Sequence, residues 1–273
     1  MYSKTIQPST SLSQYIKYYW MMETDACDGD VSERVIPTGN VQLMFHYRKP
    51  FVVKDQNDNI LAVQPQSIIS GLTNSYLDVS THGEAGVIAV TFLPLGACNF
   101  FNFPMSEIED SSIDLCDIYF KEIKEIEEQV CNAITLDERI QIIEKFLIRR
   151  FFPVRNYDYM LIHQAIKLIN TNYGQINSNI LSDKLFVTTK TLERKFSAIL
   201  GKSPKQYSKL VRYQSAVVDI LRNPNINLTE LAIRNGYYDQ SHFIKDFKTF
   251  LGYTPGEFLE NCCCDNLADE FNL

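Results

Sequence analysis

The stretch Ile233-Arg-Asn-Gly-Tyr-Tyr-Asp-Gln-Ser-His-Phe-Ile-Lys-Asp-Phe-Lys-Thr-Phe-Leu-Gly-Tyr-Thr-Pro255 carries the punctuation of two helices joined by a tight turn. A short helix over Leu228 to Asn235 ends at Gly236, where a glycine tolerates the positive φ that such a turn requires. Asp239 then stands where a side-chain oxygen accepts from the first amides of the next helix. Inside that helix Phe243, Phe247 and Leu251 recur every fourth residue and so share one apolar face. Gln240, Ser241, His242 and Lys245 are left on the opposite face. Gly252 stops the helix, Thr254 caps the following one, and Pro255 occupies its first turn.

The same text occurs earlier in the chain. An offset of 51 residues brings Thr188 onto Asp239, Leu192 onto Phe243, Arg194 onto Lys245, Phe196 onto Phe247, Leu200 onto Leu251, Gly201 onto Gly252 and Pro204 onto Pro255. Continued backwards without a gap, it pairs Ile180 with Leu231 and Leu181 with Ala232. In the first copy a helix over Asn179 to Lys184 precedes the turn, and Thr189, Lys190, Glu193 and Arg194 face outward from the second helix. Repeated structure implies a repeated job. Between the copies, Lys205 to Leu221 forms a helix of about 25 Å at ~1.5 Å per residue. Such a rod suits two probes about one DNA turn apart, ~34 Å. Lys, Arg, Gln and His on a helix face offer the donors and acceptors that base edges in the major groove recognise.

Charge is distributed to match. Arg155 to Glu260 holds 14 Lys and Arg against 9 Asp and Glu, a net +5, whereas the rest of the chain carries a net −12. An acidic body bearing a basic segment suits a polyanionic partner better than the overall −7 suggests. A chain of 273 residues accommodates two domains. No apolar run approaches a membrane span, and the polar start Met1 to Ser13 lacks a secretory pattern, so the expectation is a cytoplasmic protein. Cys27, Cys98, Cys116 and Cys131 are scattered singly and are expected as reduced thiols, with the Cys262–Cys264 run in a tail over 261–273.

From Tyr18 to Phe92 the period is near two. Strands are expected at Tyr18 to Thr24, Arg34 to Pro37, Val41 to Tyr47, Phe51 to Val53, Ser67 to Gly71, Tyr76 to Ser80 and Gly86 to Phe92. The turns Thr38-Gly39-Asn40, Asn57-Asp58-Asn59 and His82-Gly83-Glu84 separate them, giving a small barrel or sandwich. Between Asp117 and Arg150 the period becomes helical, with Tyr119, Ile123, Ile126 and Val130 on one stripe and a second helix over Leu136 to Arg149. That stripe either packs on the strands or pairs with a second copy. The fold class is thus a two-domain α+β chain: an antiparallel barrel or sandwich, cupin-like, over 1–116, a helical or dimerising segment over 117–150, and an all-α double helix-turn-helix over 155–260.

The segment from Tyr157 to Glu260 resembles the DNA-binding domain of the AraC/XylS family of bacterial regulators. By position in that motif, the family's base-reading residues fall on Lys190, Glu193 and Arg194, and on Gln240, His242 and Lys245. Two residues depart from the pattern: Ser182 replaces a small apolar residue in the first leading helix, and Lys245 replaces an Arg whose planar fork reads guanine bidentately. Ile36-Pro-Thr-Gly-Asn-Val-Gln-Leu-Met-Phe45 and Val87-Ile-Ala-Val-Thr-Phe-Leu-Pro-Leu-Gly96 resemble the regulatory domain of some members. The resemblance implies a transcription factor, expected to be an activator, whose partners are double-stranded DNA and RNA polymerase. A small-molecule effector and a homodimer are further expectations; no membrane partner, metal or cofactor is expected. An enzyme fused to a DNA-binding module is disfavoured because only His46 and His82 lie among the strands, without ligand spacing. Tyr18, Trp20, Arg34, His46 and Phe92 are the candidate effector pocket. Control by a small molecule and control by protein contacts alone both stay open.

Overall fold

In the computed structural model the described residues are 1–55 and 59–261. Asn57 and Asp58 of one expected turn, and the Cys262–Cys264 run, lie outside them. The chain divides into two compact units. One comprises 1–35, 40–72 and 77–154; the other comprises 36–39, 73–76 and the chain from 155 onward.

The first unit contains ten described strands: β1 (Tyr2–Ile6), β2 (Ile16–Thr24), β3 (Asp30–Val35), β4 (Gln42–His46), β5 (Val52–Lys54), β6 (Ile60–Val63), β7 (Ser67–Ser70), β8 (Leu77–His82), β9 (Ala85–Phe92) and β10 (Ser112–Asp114). They form two open antiparallel sheets, of order β1-β2-β9-β4-β7-β10 and β3-β8-β5-β6. Of the two expected forms, barrel or sandwich, the structure has the sandwich, since each sheet ends in edge strands. Three strands escaped the pattern. β1 and β10 are short and polar, and β6 (Ile-Leu-Ala-Val) is exposed along its whole length and lacks the alternation that marks a half-buried strand. β3 begins at Asp30 and ends before Pro37, so the expected strand at Arg34 was placed too late.

The larger sheet has two unlike faces. On one, Tyr19, Met21, Leu43, Phe45, Ile88 and Val90 are fully buried against α1 (Leu115–Asn132) and α2 (Leu136–Arg150). Tyr19 donates its hydroxyl to Glu144 of α2 at 3.0 Å, and Ser67 donates to Glu127 of α1 at 2.6 Å. Burial and the Glu144 charge together push the Tyr19 phenol upward. Ile123, Ile126 and Val130 are therefore spent inside this unit and cannot form a dimer face; Tyr119 sits at a kink in α1, its ring beneath Arg150 at 3.6 Å. Apolar stripes on α1 and α2 close over the sheet because the sheet's own alternation leaves it an apolar face to cover.

The second unit holds α3 (Tyr157–Thr171), α4 (Ser178–Lys184), α5 (Thr189–Leu200), α6 (Pro204–Arg222), α7 (Leu228–Arg234), α8 (Gln240–Leu251) and α9 (Pro255–Asn261). Leu192, Phe196 and Leu200 of α5, and Phe243, Phe247 and Leu251 of α8, are all buried. Both helices pack on α6, where the Tyr207 ring meets Phe196 and the Tyr213 ring stacks on Phe250 with centroids 4.5 Å apart. No helix among the described residues is long and apolar enough to cross a membrane.

Candidate nucleic-acid interface

The two probe helices are built by the same devices. Thr188 caps α5 by accepting from the Thr191 amide, and Asp239 caps α8 by accepting from the His242 amide at 2.7 Å. Gly201 and Gly252 end them in the left-handed conformation, φ +86 and +77, donating to Ser197 and Lys248 carbonyls respectively. The offset of 51 residues holds across every one of these pairs.

In the leading helices the correspondence shifts to 50. The caps are Asn177 and Asn227, the buried pairs are Leu181 with Leu231 and Ser182 with Ala232, and the turn closures are Val187 to Ser182 and Tyr237 to Ala232. The gapless pairing of Ile180 with Leu231 is thereby corrected: Ile180 is 47% exposed and Leu231 is buried. One extra residue, Tyr238, lies in the second turn, and its side chain is 90% exposed. The position that needs positive φ is Gly236 (+72) in the second copy and Phe186 (+54) in the first.

The outward residues divide into exposed side chains and braces. Lys190, Glu193, Arg194, Ser241, His242 and Lys245 are exposed. Thr189 is half-buried; its hydroxyl lies 3.1 Å from that of Ser182 and donates to Asn179 at 3.4 Å. Gln240 is tied by the equivalent bond, its Oε1 accepting from Thr229 at 2.8 Å. These bonds fasten each probe to its leading helix. They also explain Ser182, whose buried hydroxyl is satisfied by Thr189 and by the Asn179 carbonyl at 2.9 Å. His242 is oriented by its neighbours: its ring meets Tyr237 edge-on, and Nε2 lies 3.7 Å from Asp246 Oδ2. Asp246 is buried and pairs with Lys209 of α6 at 2.9 Å, so the rod that braces α8 also sets the carboxylate behind the histidine.

The candidate pocket residues do not share one space. Strand register turns Tyr18, Trp20 and His46 toward the smaller sheet, together with Met22, Gln42, Met44 and Thr91. Phe92 points the other way, onto Phe100 and Phe101 beneath the helices. Arg34 lies on the outer face of the smaller sheet, held by both oxygens of Asp78 at 2.7 and 2.8 Å. Glu33, which faces the larger sheet, was overlooked because β3 begins earlier than expected; its partner on β8 is Val79, part of the buried interlayer cluster. A surface hollow of about 510 Å³ lies elsewhere, between α1 and α2, lined by Glu128, Gln129, Asn132, Glu138, Gln141 and Lys145 among others. Asp114, Cys116 and Glu127 bring donor atoms within 4.8 Å of one another, but Glu127 already takes the Lys124 ammonium at 2.8 Å, which fills the place of a cation.

Two capped probe helices in one unit, each exposing polar side chains from its first turns, define a helix-turn-helix protein of the kind that meets duplex nucleic acid. Residues 181–261 match the family described as a helix-turn-helix domain, of AraC type, and residues 4–114 match a domain of unknown function (DUF6597). Residues 181–261 thus form a helix-turn-helix domain of AraC type. The chain is 26% identical over 118 residues to the Msm operon regulatory protein of Streptococcus mutans, a match covering 43% of this chain and 42% of that relative, so the matched part spans about two-fifths of the relative's length. Among solved structures, ToxT of Vibrio cholerae is similar with a TM-score of 0.44 at 10% identity, over 85% of this chain and 98% of that one. The C-terminal domain of AraT of Geobacillus stearothermophilus gives 0.35 at 23% identity, over 37% and 85%.

Proposed function

We propose that the chain is a transcriptional regulator that reads double-stranded DNA through α5 and α8, with its DNA-binding unit under the control of a small molecule held by the N-terminal unit. The observation that carries this reading is the pair of probes with the same N-cap, buried stripe and left-handed C-cap, each projecting its polar residues to solvent. Arg194 and Lys190 supply donors for guanine acceptors or phosphate, Glu193 can accept from a cytosine amine, and His242 arrives pre-oriented by Asp246. Thr189 and Gln240 act mainly by fixing the angle of each probe on its leading helix. Control by a ligand is favoured by the partly buried side chains between the sheets, which mix aromatic, thioether and polar groups.

The test is selection of bound duplexes from a random pool by the full-length chain, followed by salt titration of the enriched site. Arg194→Ala and His242→Ala each weaken binding to that site by about 1 to 3 kcal/mol and relax preference at one position. An equal loss on every sequence reassigns those residues to phosphate contact. No enriched sequence at low salt refutes the reading.

A further inference from the structure

The tight turn at Gly83 joins β8 of the smaller sheet to β9 of the larger one, so the sheets are hinged together at that end. Near the hinge the interlayer space is filled by Phe51, Val79, Ala85 and Val87. Away from it the lining changes. Trp20, Met22, Met44, Val53 and Leu77 pack against that cluster yet stay only partly buried, and Tyr18 and Gln42 beyond them are half-exposed as well. On the opposite face of the larger sheet, the same strands bury Tyr19, Met21, Leu43 and Phe45 completely. The interlayer side is thus packed less completely at this end than the helix-facing side, and we read it as a cleft.

Its polar equipment is asymmetric. Among the strand residues that register turns inward, the charged one is Glu33, alongside Val31 and across from Val79. The carboxylate has no described hydrogen-bond or ion-pair partner, and burial is what raises its pKa. Arg34 next to it faces away and is occupied by Asp78. Lys17, in the bulge of β2, places its ammonium 5.5 Å from the centre of the Tyr18 ring. His46 donates from Nδ1 to the Pro65 carbonyl at 2.9 Å, and burial depresses its pKa, so the ring brings no positive charge. The buried atoms His46 Nε2, Thr81 Oγ1 and Thr91 Oγ1, all on inward-facing positions, have no hydrogen-bond partner.

A half-buried carboxylate with no described counter-ion, turned to the same interlayer side as an indole and two thioethers, is complementary to one kind of molecule. We propose that this cleft binds an apolar cation, an amine or ammonium group on an aromatic or alkyl body, with Glu33 pairing the charge and Trp20, Met22 and Met44 holding the body. The assignment rests on the reading of the N-terminal unit as a ligand-controlled one. A desolvated cation gains from both the carboxylate and the indole face, whereas an anion of the same shape meets repulsion from Glu33.

Trp20 is the one tryptophan of the chain, so its emission reports on the cleft directly. The full-length chain is titrated at neutral pH with 4-phenylbutylamine, 4-phenylbutanol and 4-phenylbutyrate, which share a body and differ in charge. The amine binds about tenfold tighter than the alcohol, and the carboxylate binds weakest. Glu33→Gln brings the amine to the alcohol's affinity while leaving the alcohol's binding and the unfolding midpoint in place. Tighter binding of the carboxylate, absence of any Trp20 response to the three, or an amine preference that survives in Glu33→Gln overturns the proposal. A preparation that binds its selected duplex but fails these criteria sinks the ligand assignment alone. One that meets them and binds no duplex sinks the regulator reading and leaves the chemistry of the cleft standing.

Discussion

Replacing Asp239 separates two roles of one side chain. Its Oδ1 accepts from the His242 amide at 2.7 Å at the very start of α8, and its side chain is exposed. Losing such a cap costs about 1 kcal/mol, and a carboxylate at the positive end of the helix dipole contributes about 0.3 to 1 kcal/mol more. Asp239→Ala should therefore lose about 1.5 kcal/mol, and Asp239→Asn, which keeps an oxygen at the cap, about 0.5 kcal/mol. For a unit of roughly a hundred residues the first corresponds to a fall of about 6 to 10 °C in Tm, read by far-ultraviolet circular dichroism. DNA binding should move differently. Both variants remove a negative charge from the turn that approaches the phosphates, but only Ala also loosens the turn that presents Ser241 and His242. Asn should thus bind the selected duplex a few-fold tighter at low salt, an advantage that fades as salt rises, while Ala binds more weakly than Asn throughout. If Ala and Asn have equal stability and equal affinity, the side chain is not the cap and the account of α8 is wrong.

The turn position with positive φ gives a contrast of sign. Phe186→Gly should gain about 0.5 kcal/mol, because a left-handed bulky residue costs about 1 to 2 kcal/mol, partly offset by the freer unfolded chain, and its ring is 95% exposed. Gly236→Ala should lose at least about 1 kcal/mol by the same rule; its Cβ would also stand 2.9 Å from Gln175 Cγ. Thermal unfolding of both variants checks the pair, and a loss in Phe186→Gly means that the ring has a partner within the fold. Glu127→Ala should lose about 2 to 3 kcal/mol in the urea midpoint, since Ser67, Cys116 and Lys124 all donate to that buried carboxylate. Thiol alkylation should follow burial: among the described cysteines exposed Cys27 reacts first, while burial pushes Cys98 up to about 12 and burial with the Glu127 charge pushes Cys116 up to about 11, so both stay protonated and slow at mildly alkaline pH. Peptide mapping after a short iodoacetamide pulse that finds Cys98 labelled as fast as Cys27 contradicts this.

Punctuation was the legible part of the DNA-binding unit. Caps and stops are single residues with few substitutes, so Thr188 pairs with Asp239 and Gly201 with Gly252 from the sequence alone. The leading helices lacked such marks. Ile180, Leu181, Leu231 and Ala232 are all apolar, so a slip of one residue left the hydrophobic match intact; only exposure separates Ile180 from Leu181. Tyr238 hid for the same reason, because two adjacent tyrosines give no hint which one is buried and which is extra. In the strands the alternation is visible, but alternation within one strand does not fix which face it shares with the next. Register is what parts Phe92 from Trp20 and, with β3 beginning at Asp30, turns Glu33 inward.

The unlike faces of the larger sheet connect folding to control. Its helix-facing side is closed by α1 and α2, whose apolar stripes are consumed there, so stability of the N-terminal unit can rest on that layer without the interlayer side being filled. A protein that must hold a guest benefits from this arrangement, because the side chains that would meet the guest, Trp20, Met22 and Met44, are not the ones whose burial carries the core. A ligand would then act by its difference in affinity between two arrangements of the hinged sheets, since equal affinity for both shifts no equilibrium. On that reasoning Met44→Leu, which nearly conserves volume, should leave the unfolding midpoint within about 1 kcal/mol of the parent while changing the amine affinity read from Trp20. Leu43→Ala, one residue along the same strand but under the helices, should lose about 2 to 5 kcal/mol. Equal destabilisation by the two would mean that the cleft side carries the core after all.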